Sequence, residues 1–159
     1  MGRASRTNLP ESGRLIAVDT NLLVYAHRRD SSWHERASEC MRELAEGNAP
    51  WALPWPCVYE FLAIVTHERI FSPPSPPPSA SEQVSAWLES PALVMLAEAE
   101  GYWQVLHRLI EVSKVTGPRI HDARIAALCL YHGVQELWTA DRDFNRFAQL
   151  RTRNPLVTR

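Results

Sequence analysis

Short apolar runs alternate with amphipathic stretches along the chain, and turn or capping residues stand at the junctions. Leu15-Ile16-Ala17-Val18 is a continuous apolar run, the pattern of a strand covered on both faces, and Asp19 ends it. Thr20 or Asn21 is placed to cap a helix through Leu22–Ala26. From Ser31 onward, Trp33, Ala37, Cys40, Met41 and Leu44 step by three and four, which predicts an amphipathic helix stopped by Gly47. Trp51-Ala52-Leu53 reads as a brief strand. Pro54 and Pro56 then open a helix with Val58, Phe61, Leu62 and Val65 on one face.

Residues 72–81 (SPPSPPPSAS) predict neither helix nor central strand, but a rigid, exposed insertion loop of polyproline character. Beyond it the pattern predicts a helix near Glu82–Leu88, a strand at Leu93–Leu96 and a longer helix from about Glu98 to Val115. Gly117-Pro118 breaks the chain. A helix then starts at His121-Asp122, carries Ile125, Ala126, Cys129 and Leu130 in phase, and stops at Gly133. Glu136–Thr139 is a strand with Asp141 at its end, and Asp143-Phe144 begins a last helical turn. Alternating strands and helices predict an α/β sandwich around a mostly parallel sheet. Residues 1–13 are read as a flexible N-terminal tail and residues 14–159 as a single domain.

Composition narrows the function. With 159 residues, 45% of them hydrophobic and 22% charged, the chain suits one globular domain rather than a disordered segment. No apolar run reaches the roughly 18–20 residues a bilayer span needs, and neither a secretory signal nor a myristoylation pattern opens the chain, so a cytoplasmic protein without membrane attachment is expected. Three cysteines without metal-like spacing read as reduced, mostly buried thiols. A net charge of −1 excludes a uniformly basic surface, so any nucleic acid must be met by local patches. Aspartate occurs five times against 13 glutamates, and lysine once against 16 arginines. Four of those scarce aspartates stand at strand ends or helix starts, the first hint of a site.

In open parallel sheets functional groups gather beyond the carboxyl ends of the strands. Asp19 and Asp141 stand there after the first and last predicted strands. Asp122 is in phase with the inward stripe of its helix, and Glu60 lies one turn into the helix opened by Pro56. Converging carboxylates repel one another unless a cation neutralises them, and hard divalent ions such as Mg²⁺ or Mn²⁺, one or two of them, suit oxygen donors. Phosphodiester hydrolysis by an activated water is the chemistry such a site serves.

These residues resemble a known family. Ala17-Val18-Asp19-Thr20-Asn21 is similar to the opening motif of PIN-domain ribonucleases, and Val58-Tyr59-Glu60-Phe61 to their second acidic position. His121-Asp122-Ala123 and Trp138-Thr139-Ala140-Asp141-Arg142-Asp143-Phe144 resemble the third and fourth, and Asn154-Pro155-Leu156 the tail of the VapC toxins. The resemblance implies a three-layer α/β/α sandwich with a small, mostly parallel sheet. It also implies metal-dependent endoribonuclease activity, a homodimer, and a cognate VapB-type antitoxin. It carries the metal-site and catalytic role onto Asp19, Glu60, Asp122 and Asp141. Asn21 is expected to orient Asp19, and Thr139 to bond a neighbouring carboxylate or a water on the metal. The RNA expected is a tRNA or rRNA.

Plainer readings stand beside these. Each acid taken singly is also a good helix cap or solvated group. Asp143 is read first as the cap of the last helical turn, Asp30 as a turn residue, and His121 as a structural hydrogen-bonder. Arg28, Arg29, Arg119, Arg124, Arg142 and Arg146 are candidates for RNA phosphates, with surface ion pairs as the alternative for each. An aspartyl phosphotransferase would want a second Asp where Asn21 stands, and no P-loop is present. A catalytically silent PIN-like module that binds RNA or a partner is the remaining rival.

Overall fold

The computed structural model describes residues 14–157; the expected N-terminal tail, residues 1–13, lies outside them. Five parallel strands form one sheet: β1 (Ile16–Val18), β2 (Trp51–Pro54), β3 (Leu93–Leu96), β4 (Glu136–Trp138) and β5 (Thr152–Arg153). They lie in the order β3-β2-β1-β4-β5, with Ala17 opposite both Ala52 and Leu137. Strands β1 to β4 are short and mostly apolar, and β1, β2 and β4 are largely buried, as central strands of a parallel sheet require.

Among the described residues there are six α-helices: α1 (Thr20–His27), α2 (His34–Glu46), α3 (Trp55–Val65), α4 (Pro77–Leu88), α5 (Tyr102–Ser113) and α6 (Arg119–Tyr131). Helix α1 packs on both α2 and α3, α3 packs on α4, and α5 packs on α6. The path runs outward from β1 to β3 through α1–α4, then back across to β4 through α5 and α6. Right-handed crossovers put the helices of the two directions of travel on opposite faces, giving the α/β/α sandwich. The direction reverses between β1 and β4. This switch point is where such sheets open a crevice at their carboxyl edge.

Trp51, Phe61, Leu22, Leu128, Leu137 and Phe144 fill the core, each at most 1% exposed. Cys40, Cys57 and Cys129 are free and buried, as expected. No helix among the described residues is long and apolar enough to cross a membrane.

Several local expectations are corrected. The Pro-rich segment does not stay extended to residue 81, because α4 begins at Pro77 with Pro77 and Pro78 in its first two positions. Amide groups there have no partner within a helix, so proline's missing N–H is harmless and its fixed φ favours helix entry. Nor is the remaining loop simply exposed. Ser75 is buried: its N–H donates to the Val65 carbonyl at 2.7 Å, and its Oγ meets His27 Nε2 at 3.0 Å and Arg28 Nη1 at 3.2 Å. Helix α5 starts at Tyr102, not Glu98, since Gly101 takes φ = 88° in a turn just before it. Trp33 precedes α2 and is exposed rather than part of its buried stripe. Strand β5, two polar residues at the sheet edge, carries no sequence pattern that predicts it.

Candidate active site

Asp19 leaves β1 at the switch point. Its N–H donates to the Trp138 carbonyl at 3.0 Å, and its carboxylate is only 4% exposed. Thr139, just past β4, donates its hydroxyl to Asp19 Oδ2 at 2.7 Å. Asn21 Nδ2 lies 3.3 Å from both Asp19 Oδ2 and Thr139 Oγ1, while Asn21 Oδ1 accepts the Ala140 N–H at 3.2 Å. Asn21 thus hydrogen-bonds Asp19 and fastens α1 to the end of β4. The Cys57 thiol reaches Asp19 Oδ1 at 3.6 Å. Burial pushes the Asp19 carboxyl up to about 6, against the downward pull of its hydrogen bonds from Thr139 and the Thr20 backbone; the Glu60 charge adds to the rise.

Glu60 projects from the second turn of α3, and Thr20 Oγ1 donates to its Oε2 at 2.7 Å. The expected capping role of Thr20 is corrected here. Asp19 is the residue that precedes α1, and the Thr20 hydroxyl is committed to Glu60. No spacing in the sequence announces this contact, because 40 residues separate the pair.

Asp122 lies in the first turn of α6, half-buried beside α6 residues that are fully buried. Its carboxyl is raised, first by burial, then by the charges of Asp141 and Glu60, with Arg119 opposing. Asp141 ends the β4 segment, and its Oδ1 accepts the Asp143 N–H at 2.9 Å, capping the 3₁₀ turn Arg142–Arg146. Asp141, not Asp143, is thus the cap of that turn. Asp143 sits inside the turn and pairs with Arg119 Nη1 at 2.5 Å, which holds its carboxyl below the usual range.

Among the described residues, Asp122, Asp141 and Asp143 bring one oxygen each within 4.8 Å of one another. Three carboxylate donors at that separation suit a hard divalent ion. Asp19 and Glu60 join the group electrostatically: the Glu60 charge acts on both Asp19 and Asp122. The four acids singled out in the sequence therefore share one edge of the sheet, and Asp143 enters as a fifth. Its signal was the Asp-X-Asp spacing at a tight turn, which puts both carboxylates at the same strand end.

The arginines divide. Arg28 is committed to Asp30 at 2.6 Å, to Ser75, and to the face of Phe71, 4.2 Å from its centroid. Arg124 is committed to Glu98 at 2.7 Å. Both guanidiniums are thus ion-paired, the alternative weighed for each in the sequence. Arg29, Arg142 and Arg146 are exposed, and Arg119 is part-buried against Asp143.

The PIN domain family model matches residues 16–150, a span that contains all five acids. The chain belongs to the PIN-domain family. Among curated relatives, this PIN domain is 37% identical over 142 residues to Ribonuclease VapC43 of Mycobacterium tuberculosis, covering 89% of this chain and 96% of that one. It is 32% identical over 137 residues to Ribonuclease VapC48 of the same species, covering 86% and 94%. Its fold is that of VapBC2 from Rickettsia felis bound to a promoter DNA fragment, with TM-score 0.63 and 16% identity over 88% of this chain and 98% of that one. VapC20 of M. tuberculosis, described as a toxin that cleaves the sarcin–ricin loop, superposes with TM-score 0.58 at 17% identity over 82% and 92%.

Proposed function

We propose that this PIN domain is a metal-dependent endoribonuclease, the toxin of a toxin–antitoxin pair, hydrolysing RNA phosphodiester bonds. One observation carries the reading: Asp122, Asp141 and Asp143 bring an oxygen each within 4.8 Å of one another, the Glu60 charge acts on both Asp19 and Asp122, and Arg119 is the one cation ion-paired with any of these acids among the described residues. The curated relatives named VapC ribonucleases support it.

The donor set fits Mg²⁺ or Mn²⁺, with Asp122, Asp141 and Asp143 closest together and Asp19 and Glu60 beside them. One or two such ions supply charge neutralisation, an acidified water and electrostatic support for a phosphate undergoing in-line attack. The chain's own residues prepare the site. Thr139 and Asn21 hold Asp19 in one orientation, Thr20 does the same for Glu60, and the Asp143 amide fixes Asp141. Held carboxylates lose little freedom when an ion or substrate arrives, which is preorganisation in structural form.

A VapB-type antitoxin is the expected protein partner, by analogy with the VapBC2 structure that shares the fold. A homodimer, a tRNA or rRNA target and a cytoplasmic location complete the proposal. Brief induced expression in a bacterial host tests it. Growth arrest with new RNA ends at one tRNA or rRNA loop, relieved by the co-expressed antitoxin, is the expected result. Unimpeded growth with an unchanged RNA-end profile would overturn it.

A further inference from the structure

A groove of about 580 Å³ opens beside the acidic group, lined by Lys114, Thr116, Arg119, Asp122, Asp143 and Arg146. Three cations thus rim two of the clustered carboxylates. Two smaller clefts, each of about 280 Å³, also adjoin the site. One holds Glu60 with a single cation, Arg124, itself paired with Glu98. The other holds Asp141, Arg142 and Arg153, the last lying 6.0 Å from the Trp138 ring centroid.

Each cation of the wide groove is available. Lys114, the chain's single lysine, closes α5 in a left-handed conformation (φ = 55°), where glycine or asparagine is usual. Neither Lys114 nor Arg146 forms an ion pair or side-chain hydrogen bond with another described residue. Arg119 is engaged with Asp143, yet their side chains are 39% and 46% exposed. Exposed pairs of this kind contribute little net stability and exchange partners readily. The Arg119 guanidinium also occupies carboxylate lone pairs that a divalent ion would need. A planar guanidinium released from Asp143 matches a phosphate through two parallel hydrogen bonds.

We propose that Arg119 is a substrate-positioning residue whose guanidinium exchanges Asp143 for a backbone phosphate of single-stranded RNA seated in this groove, with Lys114 and Arg146 meeting neighbouring phosphates. The proposal rests on the ribonuclease reading and adds the path of the strand and a competition at Asp143. Metal and RNA then respond in opposite senses to loss of Arg119. A purely structural Arg119 would move both together, through stability.

The test uses the full chain. Mn²⁺ binding is followed by titration calorimetry, and binding of a labelled single-stranded RNA by anisotropy with Mn²⁺ present, in an Asp19→Asn background to suppress cleavage. Arg119→Gln is expected to tighten Mn²⁺ several-fold and to weaken RNA by about tenfold, the order of one charged hydrogen bond. The slope of log affinity against log salt should shrink by about 0.7, one phosphate contact on a single strand. Lys114→Gln should lower that slope similarly without affecting Mn²⁺, and Arg42→Gln, an exposed α2 arginine, should change neither. RNA binding unchanged in Arg119→Gln, or metal and RNA weakened together with a lowered Tm, would overturn the proposal. A parent chain that binds Mn²⁺ and cleaves RNA while Arg119→Gln behaves like it removes this proposal alone. A parent chain that does neither removes the ribonuclease reading itself.

Discussion

Thr139 Oγ1 donates to Asp19 Oδ2 over 2.7 Å and also accepts the Asp141 N–H at 3.0 Å, so one buried hydroxyl ties together the two acids at the ends of β1 and β4. Thr139→Val keeps the shape of the side chain and removes both bonds. It should destabilise the fold by about 1–3 kcal/mol, the range for loss of a buried hydrogen bond to a charged group. Metal affinity or cleavage should fall by roughly ten- to hundredfold, as when groups that orient metal ligands are lost. Thr139→Ser should recover most of both. Urea melts and cleavage rates on the three proteins check this.

Asp19 carries a pH signature. Its carboxyl ordinarily titrates at 3.8 and is raised to about 6 in the fold, chiefly by burial. Between these values the folded state binds a proton that the unfolded state has released, so the contribution of Asp19 to metal-free stability is fully present below 3.8 and declines as pH climbs toward 6. Above that, the buried ionised group costs about 2–3 kcal/mol. Asp19→Asn should therefore be more stable than the parent at pH 7.5 in EDTA, and the gap should close near pH 4. Urea midpoints at the two pH values decide it, and a variant less stable at both would contradict the assignment.

Ser75 pins the loop between α3 and α4 to the end of α1 through His27 and Arg28. Ser75→Ala leaves these partners without their hydroxyl and should lower stability by about 1–2 kcal/mol. Cleavage per folded molecule should not change, since the loop lies away from the acids. A loss of activity at full folding would assign the loop a part in the site.

Much of this arrangement is legible in the linear sequence. A continuous apolar run marks β1, and the aspartates that follow β1 and β4 flank the switch point. Helical phase places Asp122 inward, and the offset from Pro56 places Glu60. What escapes is set by tertiary distance rather than local pattern. The pairs Arg124–Glu98 and Arg119–Asp143 join residues far apart in the chain, and nothing near either arginine distinguishes a committed guanidinium from a free one. The start of α4 escapes for another reason. Proline forbids a helix interior but suits its first turn, so the same residues read as a loop until the following turns are seen. Between Asp141 and Asp143, either side chain satisfies the capping pattern, and only the course of the turn selects Asp141.

In the proposed function these carboxylates hold a divalent ion to cut RNA. This is tested most directly by incubating the purified chain with labelled RNA in Mn²⁺ and in EDTA, beside an Asp122→Asn variant of matched Tm. Cleavage in Mn²⁺ alone, slowed at least about a hundredfold in the variant, is the predicted result. Cleavage that persists in EDTA, or an Asp122→Asn protein that cuts as fast as its parent, would contradict it.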